Sequence, residues 1–426
     1  MTMREPTLKR LERQQSEHRL VALGEYQKIN VACSVQTAAA IHADGHLAVA
    51  PSSHDGAFEL RARHKVGVLR YGELEIRVLP KVSVARLLYL AAFHTNDSAW
   101  QQVEALLGEV DDPLSAIAQA LLFHAERALC ATPLQGYVTH ELARTDLRGR
   151  VLFHRQITRH AGVVLPVELR FDEFEPGIIE NRVIKAALLV VVRSVSDVEC
   201  RTRVRHLLSR LDQVSPWRAG QTIPEIGFNR LNERYRPAIH LSRLVLEQRS
   251  LEFYDMQQHG TAFLFNMNKV FESYLEASLG TLIQARGGRI ESQHSIALDE
   301  NERVKMRPDI TWWQSGRCMA VIDAKYKRAT NADYPNADIY QMLAYCKRLK
   351  LQRGYLVYAD LNGEEPGTCT IRNSDIQIVV TSIDIGGTLE ELTDSVEQLG
   401  DLLEHGMGLS ERCKKTNESS HQMISL

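Results

Sequence analysis

Between Phe265 and Tyr358 the spacing of apolar residues changes period three times, and few folds accommodate that order. Phe265–Ala285 reads as a helix in which Val270, Phe271, Tyr274, Leu275, Leu279, Leu282 and Ile283 form one broad apolar face, with Glu272 beside it. Three strand-like runs follow, Arg289–Leu298, Val304–Trp313 and Arg317–Lys325. The short Gln314-Ser315-Gly316 turn predicts that the last two pair as a hairpin. A second helix over Ala337–Leu349, apolar at Ile339, Met342, Leu343 and Cys346, leads into a strand at Gly354–Tyr358. The order is αβββαβ.

Two carboxylates and a lysine fall where this order gives them a purpose. Side chains alternate along a strand, so Asp323 and Lys325 share a face, with the carbonyl of Ala324 between them. Folding back at 314–316 sets Asp309, in Arg307-Pro308-Asp309, opposite Asp323. Two carboxylates that close repel unless a cation separates them, and hard oxygen ligands suit Mg²⁺ or Mn²⁺. Such an ion lowers the pKa of a bound water and neutralises charge on a phosphate, while Lys325 orients that water or stabilises pentacovalent phosphorus. That is machinery for phosphodiester hydrolysis. Each residue also has an ordinary reading taken singly: strand-end carboxylates, a solvated lysine, and for Glu272 a helix salt bridge. Their joint order on suitable elements favours the chemistry.

With Pro308-Asp309 and Asp323-Ala324-Lys325 standing as its two-part signature, the segment 265–358 resembles the PD-(D/E)xK nucleases. That resemblance implies metal binding by Asp309, Asp323, the Ala324 carbonyl and Glu272, with Lys325 serving the attacking water. Gln341-Met342-Leu343-Ala344-Tyr345 resembles the Q-x-x-x-Y element of RecB-type members, which puts Gln341 and Tyr345 near the site on one helix face; the plain alternative is packing on the sheet.

Further blocks are similar to the McrC family, the nuclease subunit of McrBC modification-dependent restriction systems. They are Leu79-Pro80-Lys81, Arg86-Leu87-Leu88-Tyr89-Leu90, Asp146-Leu147-Arg148-Gly149-Arg150, Glu180 to Lys185, Asn268 to Glu272 and Asp338 to Tyr345, and the likeness covers most of residues 60–360. It implies an Mg²⁺-dependent endodeoxyribonuclease that docks through its N-terminal region on a hexameric AAA+ GTPase, McrB, stimulates that GTPase, and cuts double-stranded DNA carrying a modified base such as 5-methylcytosine. The chain itself contains no G-x-x-x-x-G-K-S/T phosphate loop, so the motor would be a separate chain. Alternatives are a stand-alone RecB-like DNA nuclease, and a non-catalytic scaffold that activates a partner NTPase.

The remainder reads as a multidomain α+β protein. Val66–Arg70 and Leu74–Leu79 flank Tyr71-Gly72-Glu73 as a hairpin within a β-rich N-terminal domain, residues 1–82, which the family resemblance makes the partner-docking part and which reads equally as a small barrel that stabilises the helical middle. Residues 83–258 are mostly helical, with Leu114, Ile117, Ala118, Leu121, Leu122 and Ala125 on one face, and helices at Asn181–Val195 and Thr202–Leu211. The arginines at 201, 203, 205 and 210 cluster on the latter, most simply as a solvated face. A polar stretch at Gln257–Thr261 marks the boundary of the nuclease domain, 259–410, and 411–426 form a loose tail. With 44% hydrophobic and 24% charged residues among 426, the chain is neither disordered nor of low complexity. Its net charge of −2 confines any DNA contact to a local patch. Seven dispersed cysteines without a C-x-x-C pair indicate a reducing compartment. No apolar run approaches membrane-spanning length, so a cytoplasmic protein without membrane contact is expected.

Overall fold

The computed structural model describes residues 19–54, 56–93, 97–107, 113–161, 163–195, 197–218, 220–252, 261–326, 336–360 and 367–406. It is a mixed α+β protein built on several sheets. The N-terminal part comprises β1 (Arg19–Gly24), β2 (Lys28–Ala32), α1 (Val35–Asp44), β3 (Ala48–Pro51), β4 (Ala57–Arg61), β5 (Lys65–Tyr71) and β6 (Leu74–Leu79). The expected hairpin is β5–β6, pairing Tyr71 with Leu74 across a turn that places Gly72 at φ 57°. Serine and glycine punctuate α1: the Ser34 hydroxyl accepts from the Thr37 N–H, and Gly45 closes the helix in the left-handed region at φ 66°.

The middle part contains α2 (Val84–Leu88) running into a π turn at Tyr89–Phe93, then α3 (Asp97–Leu107) and α4 (Pro113–Ala128). A small sheet follows, of β7 (Gly136–Arg144), β8 (Arg150–Val151) and β9 (Val167–Glu175), with α5 (Phe153–Arg159) inserted. Then come α6 (Ile179–Ser194), α7 (Val198–Arg210) and α8 (Arg236–Glu252). All six apolar residues assigned to the face of α4 are buried, each burial being worth about 1–3 kcal/mol. Two of the clustered arginines have work within the fold: Arg203 grips Glu126 with two hydrogen bonds, at 3.0 and 2.8 Å, and Arg210 donates to the Cys130 carbonyl at 3.3 Å. Both tie α7 to the C-terminal end of α4.

The sheet of β7, β8 and β9 was not expected in a segment read as helical. Along β7 no residue is fully buried, but β9 alternates Val167, Leu169 and Phe171 with Glu168, Arg170 and Asp172, a strand period that the helical reading of this segment passed over.

The C-terminal part opens with β10 (Thr261–Asn266), then α9 (Met267–Ala285), β11 (Arg289–Ser292), β12 (Ile296–Ala297), β13 (Lys305–Met306), β14 (Ile310–Gln314), β15 (Arg317–Lys325), α10 (Asn336–Leu349), β16 (Arg353–Asp360), β17 (Gly367–Thr370), β18 (Gln377–Asp384) and α11 (Leu389–Gly406). Phe265 and Asn266 thus belong to a strand rather than to the expected helix; three consecutive buried apolar residues, Phe263 to Phe265, fit either period, and Asn266 caps α9 by accepting from the Asn268 N–H. The strand also serves the other end of the chain. β10 pairs antiparallel with β5, completing a sheet of order β1-β6-β5-β10. Two expected long strands are broken, the first at Gln293, φ 50°, and the second by Pro308, which has no N–H to give a ladder.

The six-stranded sheet runs β11-β14-β15-β16-β18-β17, antiparallel in its β11-β14-β15 part and parallel from β15 through β16 to β18. On β15, Ala320, Ile322 and Ala324 enter the core shared with Phe271, Leu275 and Leu279 of α9 and Leu392 and Leu399 of α11. Val321 enters the core under Ile339, Met342 and Cys346 of α10. The sheet is therefore sandwiched, and the first of these cores continues unbroken into β5, β6 and α4. Residues 407–426, including the expected tail, and 257–260 at the expected boundary lie outside the described residues.

Gly67 reports on the β5–β10 pairing. It sits at φ +137°, and a Cβ there would strike the Phe263 carbonyl. Gly67→Ala should lower unfolding stability by about 2–4 kcal/mol in a denaturant titration; an unchanged midpoint would mean that β10 does not lie on β5.

Candidate active site and metal centre

The β14–β15 hairpin sets the register on which the site depends. Ile310 pairs with Ile322, so one step further Asp309 stands opposite Asp323. Asp309 lies just before β14 and uses a side-chain oxygen where the ladder would use a carbonyl: Oδ2 accepts the Ala324 N–H at 2.9 Å. Its Oδ1 accepts from Gln293 Nε2 at 2.8 Å. Asp323 is 1% exposed and forms an ion pair with Lys325, its neighbour on the same strand face.

From α10, Gln341 and Tyr345 complete a closed loop of contacts. Lys325 Nζ donates to Gln341 Oε1 at 3.3 Å, Gln341 Nε2 donates to the Tyr345 hydroxyl at 2.7 Å, and that hydroxyl donates to the Arg307 carbonyl at 3.1 Å. Arg307 leads through Pro308 back to Asp309. The i, i+4 spacing of Gln341 and Tyr345 makes this possible, since one helical turn stacks them on one face. Glu272 comes from the opposite layer, half-buried on the N-terminal part of α9.

The electrostatics bind these residues into one site. Burial, reinforced by the charges of Asp309 and Asp323 and only partly relieved by Lys325 and Lys269, pushes the Glu272 carboxyl up to about 7. Burial and the Asp309 charge push Asp323 up to about 7 as well, against the pull of Lys325. Burial works against the Lys325 ammonium, yet the charge and hydrogen bond of Asp323 outweigh it and hold its pKa above the ordinary lysine value. The charge of Asp309 therefore acts on both Asp323 and Glu272, with Lys325 opposing it at each. Hard oxygen donors in electrostatic excess are the donor set that a divalent cation relieves, so the residues present fit Mg²⁺ or Mn²⁺.

Their ligand atoms do not yet converge on a point. Among the described residues, the group of His, Cys, Asp or Glu whose ligand atoms all lie within 4.8 Å of one another is His140, Glu173 and Glu175, on the β7–β9 sheet. There Arg148 already neutralises Glu173 at 3.3 Å, and all three side chains are partly exposed.

Sequence reasoning named Asp309, Asp323, Lys325, Glu272, Gln341 and Tyr345, and they lie together here with the Ala324 amide among them. It missed Gln293, whose contact with Asp309 depends on the break between β11 and β12 at a residue with positive φ. It also missed Asp338, buried at the start of α10, whose carboxylate accepts from the Tyr358 hydroxyl at 2.8 Å and whose charge reaches Lys325.

The sequence pattern of one protein family, described as the McrBC 5-methylcytosine restriction system component, matches residues 60–359. No curated protein sequence matches the chain. Among solved structures, a chain of the refined half-complex from the tetradecameric assembly of Thermococcus gammatolerans McrB AAA+ hexamers with bound McrC superimposes with a TM-score of 0.54 at 16% identity, covering 90% of this chain and 100% of that one. At that identity the likeness speaks for the fold. A chain of the Thermococcus gammatolerans McrBC complex gives a TM-score of 0.38 at 18% identity, over 61% of this chain and 87% of that one.

The raised carboxyls set a direction for stability against pH. Asp323 and Glu272 hold their protons to about pH 7 when folded and ionise near 3.8 and 4.5 otherwise, so between those limits the folded chain binds more protons. Their contribution is full below about pH 4 and is lost as pH rises through about 7. His124, whose imidazole burial pushes down to about 4, works in the opposite sense below about pH 6.5, so the comparison needs a reference variant. Over about pH 5 to 8 in chelated buffer, the wild-type melting temperature should fall relative to that of Asp323→Asn, and Mg²⁺ should restore it at the alkaline end. Parallel profiles for the two proteins would show that Asp323 ionises normally.

Proposed function

This chain belongs to the McrBC family of 5-methylcytosine restriction system components, and from that premise we propose that it is a divalent-metal-dependent DNA endonuclease subunit that works on a AAA+ GTPase. The observation that carries the reading is the register of the β14–β15 hairpin, which sets Asp309 against Asp323 and Lys325 while α9 brings Glu272 within reach of both charges. We read the arrangement as that of a PD-(D/E)xK nuclease, a reading supported by the run of β11, β14 and β15 between α9 and α10 and by the adjoining parallel strand β16.

Asp309, Asp323, Glu272 and the Ala324 carbonyl would hold Mg²⁺ or Mn²⁺. When bound, the ion supplies a water of lowered pKa and positive charge against the scissile phosphate. Lys325 is held charged by Asp323 and aimed by Gln341, so it keeps a proton beside the attacking water and offers an ammonium to the phosphate oxygens as negative charge develops. The contacts through Gln341 and Tyr345 to the Arg307 carbonyl keep the two strands from drifting apart as charge builds between them. Cutting DNA rather than RNA is the reading that the family supports.

The neighbour described as McrB AAA+ hexamers with bound McrC supports a docked mode of action; GTP hydrolysis in the partner, stimulated by this chain, is the part of the reading that the family resemblance supplies. Besides residues 1–82, we assign docking to the β7–β9 sheet with its inserted α5 and adjoining loops, because Tyr137, Leu147, Phe153, Ile157, Val164 and Phe174 are exposed there. So many large apolar side chains on one small appendage mark a surface that meets another protein. Among the described residues no helix is long and apolar enough to cross a membrane.

Asp309→Ala and Lys325→Ala should each lower cleavage of modified DNA by at least about 10²–10³-fold while complex formation and GTPase stimulation persist. Wild-type cutting by both would remove the assigned site. Conversely, Phe153→Asp combined with Ile157→Asp should weaken assembly with the GTPase at least tenfold in sedimentation or calorimetry, about 1.4 kcal/mol, and leave Mn²⁺ binding by the free chain unchanged. Normal assembly by that variant would place docking elsewhere.

A further inference from the structure

The chain leaves β15 at Lys325, and the next residue, Tyr326, turns away from the metal pocket into the N-terminal part of the molecule. It is 5% exposed, and its hydroxyl donates to Oε1 of Glu25 at 2.9 Å. Glu25, between β1 and β2, is also 5% exposed. The same Oε1 accepts the Lys81 N–H at 2.9 Å, and the Glu25 N–H donates to the Leu79 carbonyl at 3.2 Å, so the carboxyl is fixed to the ends of both β1 and β6. Its other oxygen is buried and has no hydrogen-bond partner among the described residues. The ring of Tyr326 meanwhile lies 6.5 Å from that of Phe271, the residue before Glu272 on α9.

A buried carboxyl with one oxygen unsatisfied is costly, and a chain keeps such a group where it fixes something that apolar packing would leave free to slide. Here the thing fixed is one residue removed from two members of the active site. The adjoining residue on one side is Lys325, and the ring that touches Tyr326 adjoins Glu272 on the other. No metal-pocket residue is itself bonded to Glu25 in the contacts above.

We propose that Glu25 is a positioning residue for the active site: through Tyr326 it locks the end of β15 and the flank of α9, so that the N-terminal sheet sets where Lys325 and Glu272 stand. This rests on the hydrolytic reading above and adds to it a route from the N-terminal sheet to the reaction. A shift of about an ångström at a catalytic group costs on the order of a hundredfold in rate, so a side chain without contact to DNA can control turnover.

The test uses the complete complex with its AAA+ partner, GTP, Mg²⁺ and modified DNA. Tyr326→Phe and Glu25→Ala should each lower kcat about 10- to 100-fold at unchanged KM for DNA, and the double variant should be no slower than the slower single one, because both remove the same link. Glu25→Gln keeps an oxygen for both donors and should stay within about twofold of wild type. In the free chain, amide hydrogen exchange at Ala324 to Tyr326 should quicken about tenfold in Tyr326→Phe, with Ala320 and Val321 unchanged; this measurement decides the matter even where Glu25→Ala does not fold. Wild-type kcat in Tyr326→Phe, unaltered exchange, or losses that multiply in the double variant would overturn the proposal. Lys325→Ala separates the two claims: full activity there defeats the hydrolytic reading itself, whereas an inactive Lys325→Ala beside a fully active Tyr326→Phe defeats only the positioning role.

Discussion

Negative charge gathered in a half-buried corner is the constraint that organises the C-terminal part of this molecule. Burial denies Asp323 and Glu272 the water that would screen them, and the nearby charge of Asp309 adds to the rise in their proton affinity. Every neighbouring contact is a means of holding that unfavourable arrangement in place. The Ala324 amide and Gln293 take the two oxygens of Asp309, Lys325 takes Asp323, and Gln341 and Tyr345 close the ring through the Arg307 carbonyl. A set of groups so arranged is poorly suited to stability and well suited to a hard cation and a phosphate.

The fold keeps the site from relaxing. Because side chains alternate along β15, Asp323 and Lys325 lie on one face while Ile322 and Ala324 anchor the strand in the core on the other. A one-residue slip of the hairpin would turn Lys325 into the apolar core against α9 and Ile322 toward the acidic corner, so the apolar pattern and the register of the carboxylates enforce each other. The parallel pairing of β15 with β16, from Ile322↔Tyr355 to Lys325↔Tyr358, holds the strand from its second edge.

What was legible in the sequence is what local periodicity encodes. The β14–β15 hairpin, the helices at 267–285 and 336–349, and the one-turn spacing of Gln341 and Tyr345 all follow from alternations and turns within a few residues. Contacts that join distant segments left no such trace. β10 reads as the start of a helix because its partner β5 is almost two hundred residues earlier; the β7–β9 sheet is a different case, since β9 alternates Val167, Leu169 and Phe171 with charged residues and was legible within its own span. Gln293 and Glu25 left no periodic trace either, for two different reasons: one acts through a local break at positive φ, the other through a hydrogen bond across 301 positions.

The units read from the sequence as successive domains are therefore not independent bodies. Apolar packing runs from Ile76 and Val78 of β6 through Leu121 of α4 to Phe271 of α9 and Ile322 of β15 without interruption. The backbone repeats the connection, since β10 closes the N-terminal sheet and the Met267 N–H at the start of α9 donates to the His64 carbonyl at 3.0 Å. Rigid cores pass a displacement on rather than absorb it, because packed side chains have few alternative arrangements. A force applied at the N-terminal sheet then has two paths into the acidic corner, one along α9 to Glu272 and one through Glu25 and Tyr326 to Lys325. For the docked nuclease proposed above that wiring has a use, because the elements assigned to docking are also the ones that hold Asp309, Asp323, Lys325 and Glu272 in register.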